Sequence, residues 1–253
     1  RTVNDNLDIS DILIKEVKAL DPHAGVGPRG FKNHYLKSLE ESHYEVEEAC
    51  SAFSHYEDLT VLYLTDGMPR WLSRFMGGGM LNALAKEAPP QALIDLAATR
   101  RDPNESFAEV DARPSKAEDS DTSVACKALA RLLTKPVRNA VKPEQLSVGV
   151  PGATTTMAIG IRERIEEAKK SGSPLLVVAT DISNAHNEFC RERAQRSIME
   201  LADNDPSLTP LIRAHAVLAD TNSPIFARDP SKHRPEFLCF SSAGGGQGNA
   251  LTN

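Results

Sequence analysis

Residues 174–187 read PLLVVATDISNAHN, and the fold turns on how that stretch behaves. A short apolar run, rich in valine and bounded by turn residues, predicts a buried β-strand over 174–180. Asp181 stands at its C-terminal end. A carboxylate buried there without a partner is costly. A hard divalent cation removes that cost, because such ions prefer oxygen ligands. The carbonyl of Ile182, one residue on, offers a second oxygen. On these residues alone a simpler role stands beside the metal role, with Asp181 capping the helix that follows.

The second informative stretch is 237–253, FLCFSSAGGGQGNALTN. It predicts a strand running into Gly244-Gly245-Gly246-Gln247-Gly248. Glycine tolerates positive φ and lets backbone approach a ligand, and Gln247 carries both a donor and an acceptor. A tight turn explains the same glycines. The Lys-Ser/Thr pair of a P-loop is missing after the last glycine.

Outward from these two stretches, apolar residues recur at helical spacing over 9–20, including Ile9, Ile12, Val17 and Leu20. Turn-rich GVGPRG follows at 25–30. Helices are predicted over 32–39, 44–56 and 71–75, and a short strand over 80–84. The stretch 87–112 has no period and contains Pro89, Pro90 and Pro103, so it reads as a loop or insertion. A helix over 124–137 is expected to end near Pro136. The next, capped by Thr154–Thr156, runs to about 170 and stops at Gly172. Helices over 188–201 and 208–218 precede strands over 224–228 and 236–241. Helices and strands mix without a βαβα rhythm, so the expected class is α+β.

Composition narrows the function classes. Of 253 residues, 40% are hydrophobic and 25% charged, which is ordinary for a folded chain and excludes disorder. No apolar run reaches the ~18–20 residues of a membrane span, and no signal peptide is visible. A nuclear or cytoplasmic, non-secreted protein is expected. Cys50, Cys126, Cys190 and Cys239 lie far apart, which speaks against zinc and for reduced thiols. The net charge of −6 counts against nucleic-acid binding, since phosphates need a basic surface. It leaves room for a basic groove on an acidic body. The chain begins at Arg1 and stops inside the glycine-rich stretch, so both ends read as cuts.

Six short motifs, in order, resemble the reverse transcriptases of non-LTR retrotransposons and mobile introns. Gly27-Pro28-Arg29-Gly30-Phe31 is similar to their opening G-P-D-G-[IF] element. The stretch 79–86, GMLNALAK, resembles G-x-L-x-A-L-x-K of the fingers. Arg113-Pro114 resembles the R-P pair that follows. Gln145, Gly149, Pro151 and Gly152 resemble the Q-x-G element before the palm. Asp181 to Asn187 is similar to D-[FIL]-x-N-A-F-N, the first catalytic box. The stretch 244–251 resembles G-x-x-Q-G-x-P-L, the box lining the nucleotide pocket.

The resemblance implies a right-hand polymerase, with fingers and the first part of the palm present. The implied parts are N-terminal helices and fingers over 1–144, the first part of the palm over 145–196, a fingers excursion over 197–243, and a second palm segment starting at 244–253. The implied reaction joins a primer 3′-hydroxyl to a deoxynucleotide with two Mg²⁺ ions. RNA template, DNA primer and dNTP are the implied partners, with no membrane involved. By family position Asp181 is catalytic and binds metal together with the Ile182 carbonyl. Arg113, His186, Gln247 and Gly248 contact the nucleotide, while Gln145 and Gly152 support the template.

Some positions depart from the family pattern. His186 replaces an aromatic residue, Ala250 a proline and Arg29 an acid, and the stretch between Lys86 and Arg113 is long. The resemblance places the family's Asp-Asp turn after the nucleotide-pocket box, where it is expected beyond Asn253, so this chain is expected to be inactive alone, with an exposed, aggregation-prone last sheet edge. A degenerate, non-catalytic remnant with weak nucleic-acid binding is the alternative. A small-molecule enzyme with a glycine-rich pocket is a third reading.

Overall fold

A computed structural model describes residues 9–23, 27–42, 47–64, 68–85, 112–181, 185–219, 223–228, 234–245 and 251. Helices dominate, and a small mixed sheet sits among them, in keeping with an α+β chain. The helices are α1 (Ser10–Lys18), α2 (Asn33–Ser42), α3 (Glu47–Leu64), α4 (Arg70–Met76), α5 (Ser120–Val141), α6 (Ala153–Ser171), α7 (Ala185–Glu188), α8 (Arg191–Asn204) and α9 (Thr209–Leu218). The strands are β1 (Gly79–Ala85), β2 (Ala112–Ala117), β3 (Ser223–Ala227) and β4 (Glu236–Ser241).

Helix α5 organises the core. Its buried Val124 and Ala128 pack with Leu13 and Val17 of α1, Leu36 of α2 and Phe53 of α3. Its Leu129 and Leu133 pack with Ile9, Met76 and, on α9, Ala214 and Val217. One long amphipathic helix thus joins two apolar clusters. It also runs through Pro136, where the sequence predicts an end. Pro136 costs the helix a hydrogen bond, but Leu132 and Val137 on either side pack against the second cluster and hold the chain helical.

The opening turn is pinned to the start of α5. Arg29, which departs from the acidic residue of the resembled motif, pairs through Nε with Asp119 at 3.0 Å and through Nη2 with Asp121 at 2.6 Å. The Arg29 N–H also donates to Asp119 Oδ1 at 3.2 Å. Gly27 is required here, because a Cβ would lie 2.5 Å from the Asp119 backbone nitrogen.

The sheet runs in the order β2-β1-β3-β4, with β1 antiparallel to β2, parallel to β3, and β3 antiparallel to β4. Strands β1, β3 and β4 lie where the sequence predicts them, to within a residue or so. Strand β2 falls partly in the stretch read as a loop. Only Gly79 and Met80 of β1 face β3, so the remainder of the β1–β2 pair continues past it as a two-stranded arm. Strand β4 lies at one edge of the described sheet, with Phe237, Leu238 and Phe240 each about half exposed.

The predicted buried strand over 174–180 is corrected. Residues 173–181 form neither strand nor helix, and all are exposed. Leu176 is 85% exposed and Val178 70%. The physical reason is a missing partner, since no strand among the described residues pairs with this run and an unpaired apolar segment has no core to enter. Helix α6 before it is likewise largely exposed, with Met157, Ile159 and Ile161 open to solvent. It starts at Ala153 after a left-handed Gly152, with Thr156 inside its first turn, and it stops at a left-handed Gly172 as expected. No helix among the described residues is long and apolar enough to cross a membrane.

Candidate functional site

The helix expected over 188–201 is broken at Phe189 and Cys190, giving the short α7 and then α8. The break has a purpose visible in the hydrogen bonds. The Phe189 carbonyl accepts from the Gly244 N–H at 3.0 Å, and the His186 carbonyl accepts from the Gly245 N–H at 2.6 Å. A carbonyl used this way is withdrawn from the helical ladder. The glycine-rich stretch therefore enters along α7, four residues after Asp181 in sequence.

Arg191, at the first position of α8 and 8% exposed, holds the loop from beneath. Its Nε donates to the Gly244 carbonyl at 2.6 Å. Nη1 donates to the carbonyls of Ser241 at 3.0 Å and Ala219 at 3.3 Å. Nη2 donates to the Ala243 carbonyl at 2.9 Å and to Ser241 Oγ. A planar guanidinium presents five donors in a fixed fork, and here they fasten the end of β4, the glycine loop and the end of α9 to one point. Gly244 is buried and takes a left-handed φ of 63°, which suits glycine at this turn. Sequence reasoning missed Arg191. Its only signal is position, an arginine at the start of a helix ten residues after Asp181.

The other predicted residues fall as follows. Asp181 is exposed at the end of the unpaired segment, so the desolvation argument for a cation at a buried carboxylate no longer applies to it. His186 is half-buried on α7, with its carbonyl tied to the loop. Ile182, Gln247 and Gly248 lie outside the described residues, as does Lys86. Arg113 pairs with Leu84 across the β1–β2 arm. That is four residues from the Met80–Ala117 pair beside β3, about 14 Å along the strands. Its side chain lies outside the described residues. Gln145 is exposed in the turn after α5, its Oε1 accepting from the Ser147 N–H at 3.0 Å and Oγ at 2.6 Å. Gly152, at φ 70°, opens α6. That helix is about 28 Å long at 19 residues, so it separates Gly152 from the start of the 173–181 segment.

Two of the sequence-predicted segments are thus brought together, namely the one after Asp181 and the one leading to Gln247. The others stand apart on separate elements. Among the described residues no group of three His, Cys, Asp or Glu side chains is placed to hold a metal ion. Among the described residues, Cys126, Cys190 and Cys239 form no disulfide.

Alongside the loop lies a cavity of about 80 Å³, walled by Gly244 and Gly245, by α8 and α9, by Lys116 of β2 and by Glu118 just after it. His215 of α9 faces it. Burial and the nearby Arg191 cation lower the His215 pKa from its ordinary 6.5. No protein-family model, curated protein or solved structure matches the chain.

Proposed function

We propose that the chain is the fingers and first part of the palm of an RNA-directed DNA polymerase of the non-LTR retrotransposon type. In this reading it engages RNA template, DNA primer and incoming dNTP, and does not polymerise alone. The observation that carries the reading is the pair of backbone hydrogen bonds from Gly244 and Gly245 to Phe189 and His186. They join two stretches that the resemblance assigns to one nucleotide pocket, though the paired residues lie 55 and 59 positions apart in sequence.

Within this reading each residue has a task. Arg113, at the far end of the β1–β2 arm, reaches for the triphosphate, to which a permanent forked cation is suited. His186 lies under the sugar, and Gln247 and Gly248 border the incoming nucleotide. Gln145 and Gly152 support the template strand. Asp181 and the Ile182 carbonyl supply one share of the oxygen ligands for Mg²⁺, which in an intact polymerase stabilises the attacking and leaving oxygens.

A degenerate remnant is the second reading, favoured by His186 and Ala250 at family positions and by the exposure of Asp181. Fluorescence anisotropy with a labelled RNA–DNA primer–template tests both. The polymerase reading expects binding at low salt that weakens steeply as salt rises, because phosphate contacts release counterions, and expects an Arg113→Ala variant to lose dNTP affinity while keeping the hybrid. No binding at low salt would remove the polymerase reading.

A further inference from the structure

The cavity beside the glycine loop has walls of definite chemistry. Phe189, Ile198, Leu211 and Leu218 make most of it apolar. Its charges are already matched. Lys116 Nζ pairs with Glu118 Oε1 at 3.0 Å, with both side chains almost buried, and also donates to the Gly77 carbonyl at 2.8 Å. Arg191, behind the loop, is committed to backbone carbonyls. An entering ion of either sign would meet an occupied counter-charge and lose its hydration, which is costly.

One polar atom is left over. Gln195 Nε2 donates to the Ile212 carbonyl at 3.1 Å, which turns its Oε1 towards His215 Nδ1 at 2.5 Å. An amide oxygen only accepts, so Nδ1 carries the imidazole proton. His215 Nε2 is then a bare lone pair. It is buried and, among the described residues, has no hydrogen-bond partner. A buried acceptor without a donor is a defect that a ligand can repair.

We infer that this cavity is a binding site for a small neutral hydroxyl compound, a short aliphatic alcohol whose O–H donates to His215 Nε2 while its alkyl part packs against Leu211 and Leu218. The volume of about 80 Å³ sets the size. A dry apolar cavity of roughly 150 Å³ takes the six heavy atoms of benzene, so about half that space suits a molecule of roughly three to four heavy atoms. The site is separate from the polymerase reading and does not depend on it. Because Gly244 and Gly245 form part of its wall, occupancy is felt at the loop.

Nitrogen-15 NMR of the whole chain, titrated with propan-2-ol and separately with acetone, tests this. The two probes match in heavy atoms, but acetone has no hydroxyl proton. Propan-2-ol is expected to shift His215 Nε2 and the Gly244 and Gly245 amides saturably, with a Kd of about 1 mM, as four heavy atoms support. Acetone is expected to bind about tenfold more weakly, the worth of one hydrogen bond. In His215→Phe the preference for the alcohol should vanish. Equal responses to both probes, or a preference that survives His215→Phe, overturns the proposal. So does the absence of any saturable shift, which would mean that the cavity holds water alone.

Discussion

Replacing Arg191 with methionine removes the clamp under the glycine loop while keeping a side chain of similar reach. The carbonyls of Ser241, Ala243 and Gly244 lose charge-assisted donors, as does Ala219 at a longer distance. Hydrogen bonds to a charged group contribute about 1.5–3 kcal/mol each, and their losses are not additive. Some freed carbonyls find water once the loop loosens. Removing one side of a buried charged network costs about 3–5 kcal/mol, so Arg191→Met should lower unfolding free energy by about 3–4 kcal/mol. That is a large share of the ~5–15 kcal/mol typical of a folded chain, and it amounts to a fall in Tm of roughly 6–16 °C. Urea denaturation followed by tryptophan fluorescence measures it. Amide exchange at Gly244 and Gly245 should accelerate in the same variant, and Arg191→Lys should recover only part, because an ammonium lacks the fork. A loss under about 1 kcal/mol at an unchanged m-value would refute the reasoning, since the guanidinium would then not be holding the loop.

Three further outcomes follow from the same structure. His215 stays neutral below its ordinary 6.5 in the folded chain, first because of burial and then because of Arg191. The unfolded chain therefore binds more protons at mildly acidic pH, so the stabilising contribution is complete above about pH 6.5 and is lost as pH falls towards the folded value. His215→Gln should flatten the urea midpoint across that window, and an unchanged acid slope would count against the assignment. Gly27→Ala drives a Cβ against the Asp119 backbone, where no rotamer change helps, and should cost about 2–3 kcal/mol; a thermal melt within experimental scatter of the parent would show that the turn yields. Primer extension with Mg²⁺ on the isolated chain should yield no DNA, and any Mg²⁺-dependent product would mean that the missing carboxylates are supplied from within it.

Much of the fold can be read from local pattern. Helices α1, α2, α3, α4, α6 and α9 and strands β1, β3 and β4 lie at or near their predicted places, because periodicity, glycine stops and turn clusters are local signals. Three misreadings share a cause, in that something distant decided the outcome. PLLVVAT has the composition of a buried strand, yet burial requires a neighbouring strand, and the described residues supply none. Strand β2 begins Ala112-Arg113-Pro114, a poor strand sequence that exists because β1 pairs with it. Helix α5 continues through Pro136 because of apolar contacts on both sides. At the site, the glycines and Asp181 stand out in sequence. The loop's anchor, Arg191, does not, since a charged residue at a helix start looks the same whether it meets water or four carbonyls.

The account depends on Asp181 and the glycine loop sharing one locus. A nitroxide placed at Asp181→Cys, in a background with Cys50→Ser, Cys190→Ser and Cys239→Ser, reports on this through relaxation of nearby amides. Strong broadening of Gly244, Gly245, Gln247 and Gly248 is the predicted result. Sharp signals from those four residues, with broadening elsewhere, would contradict it.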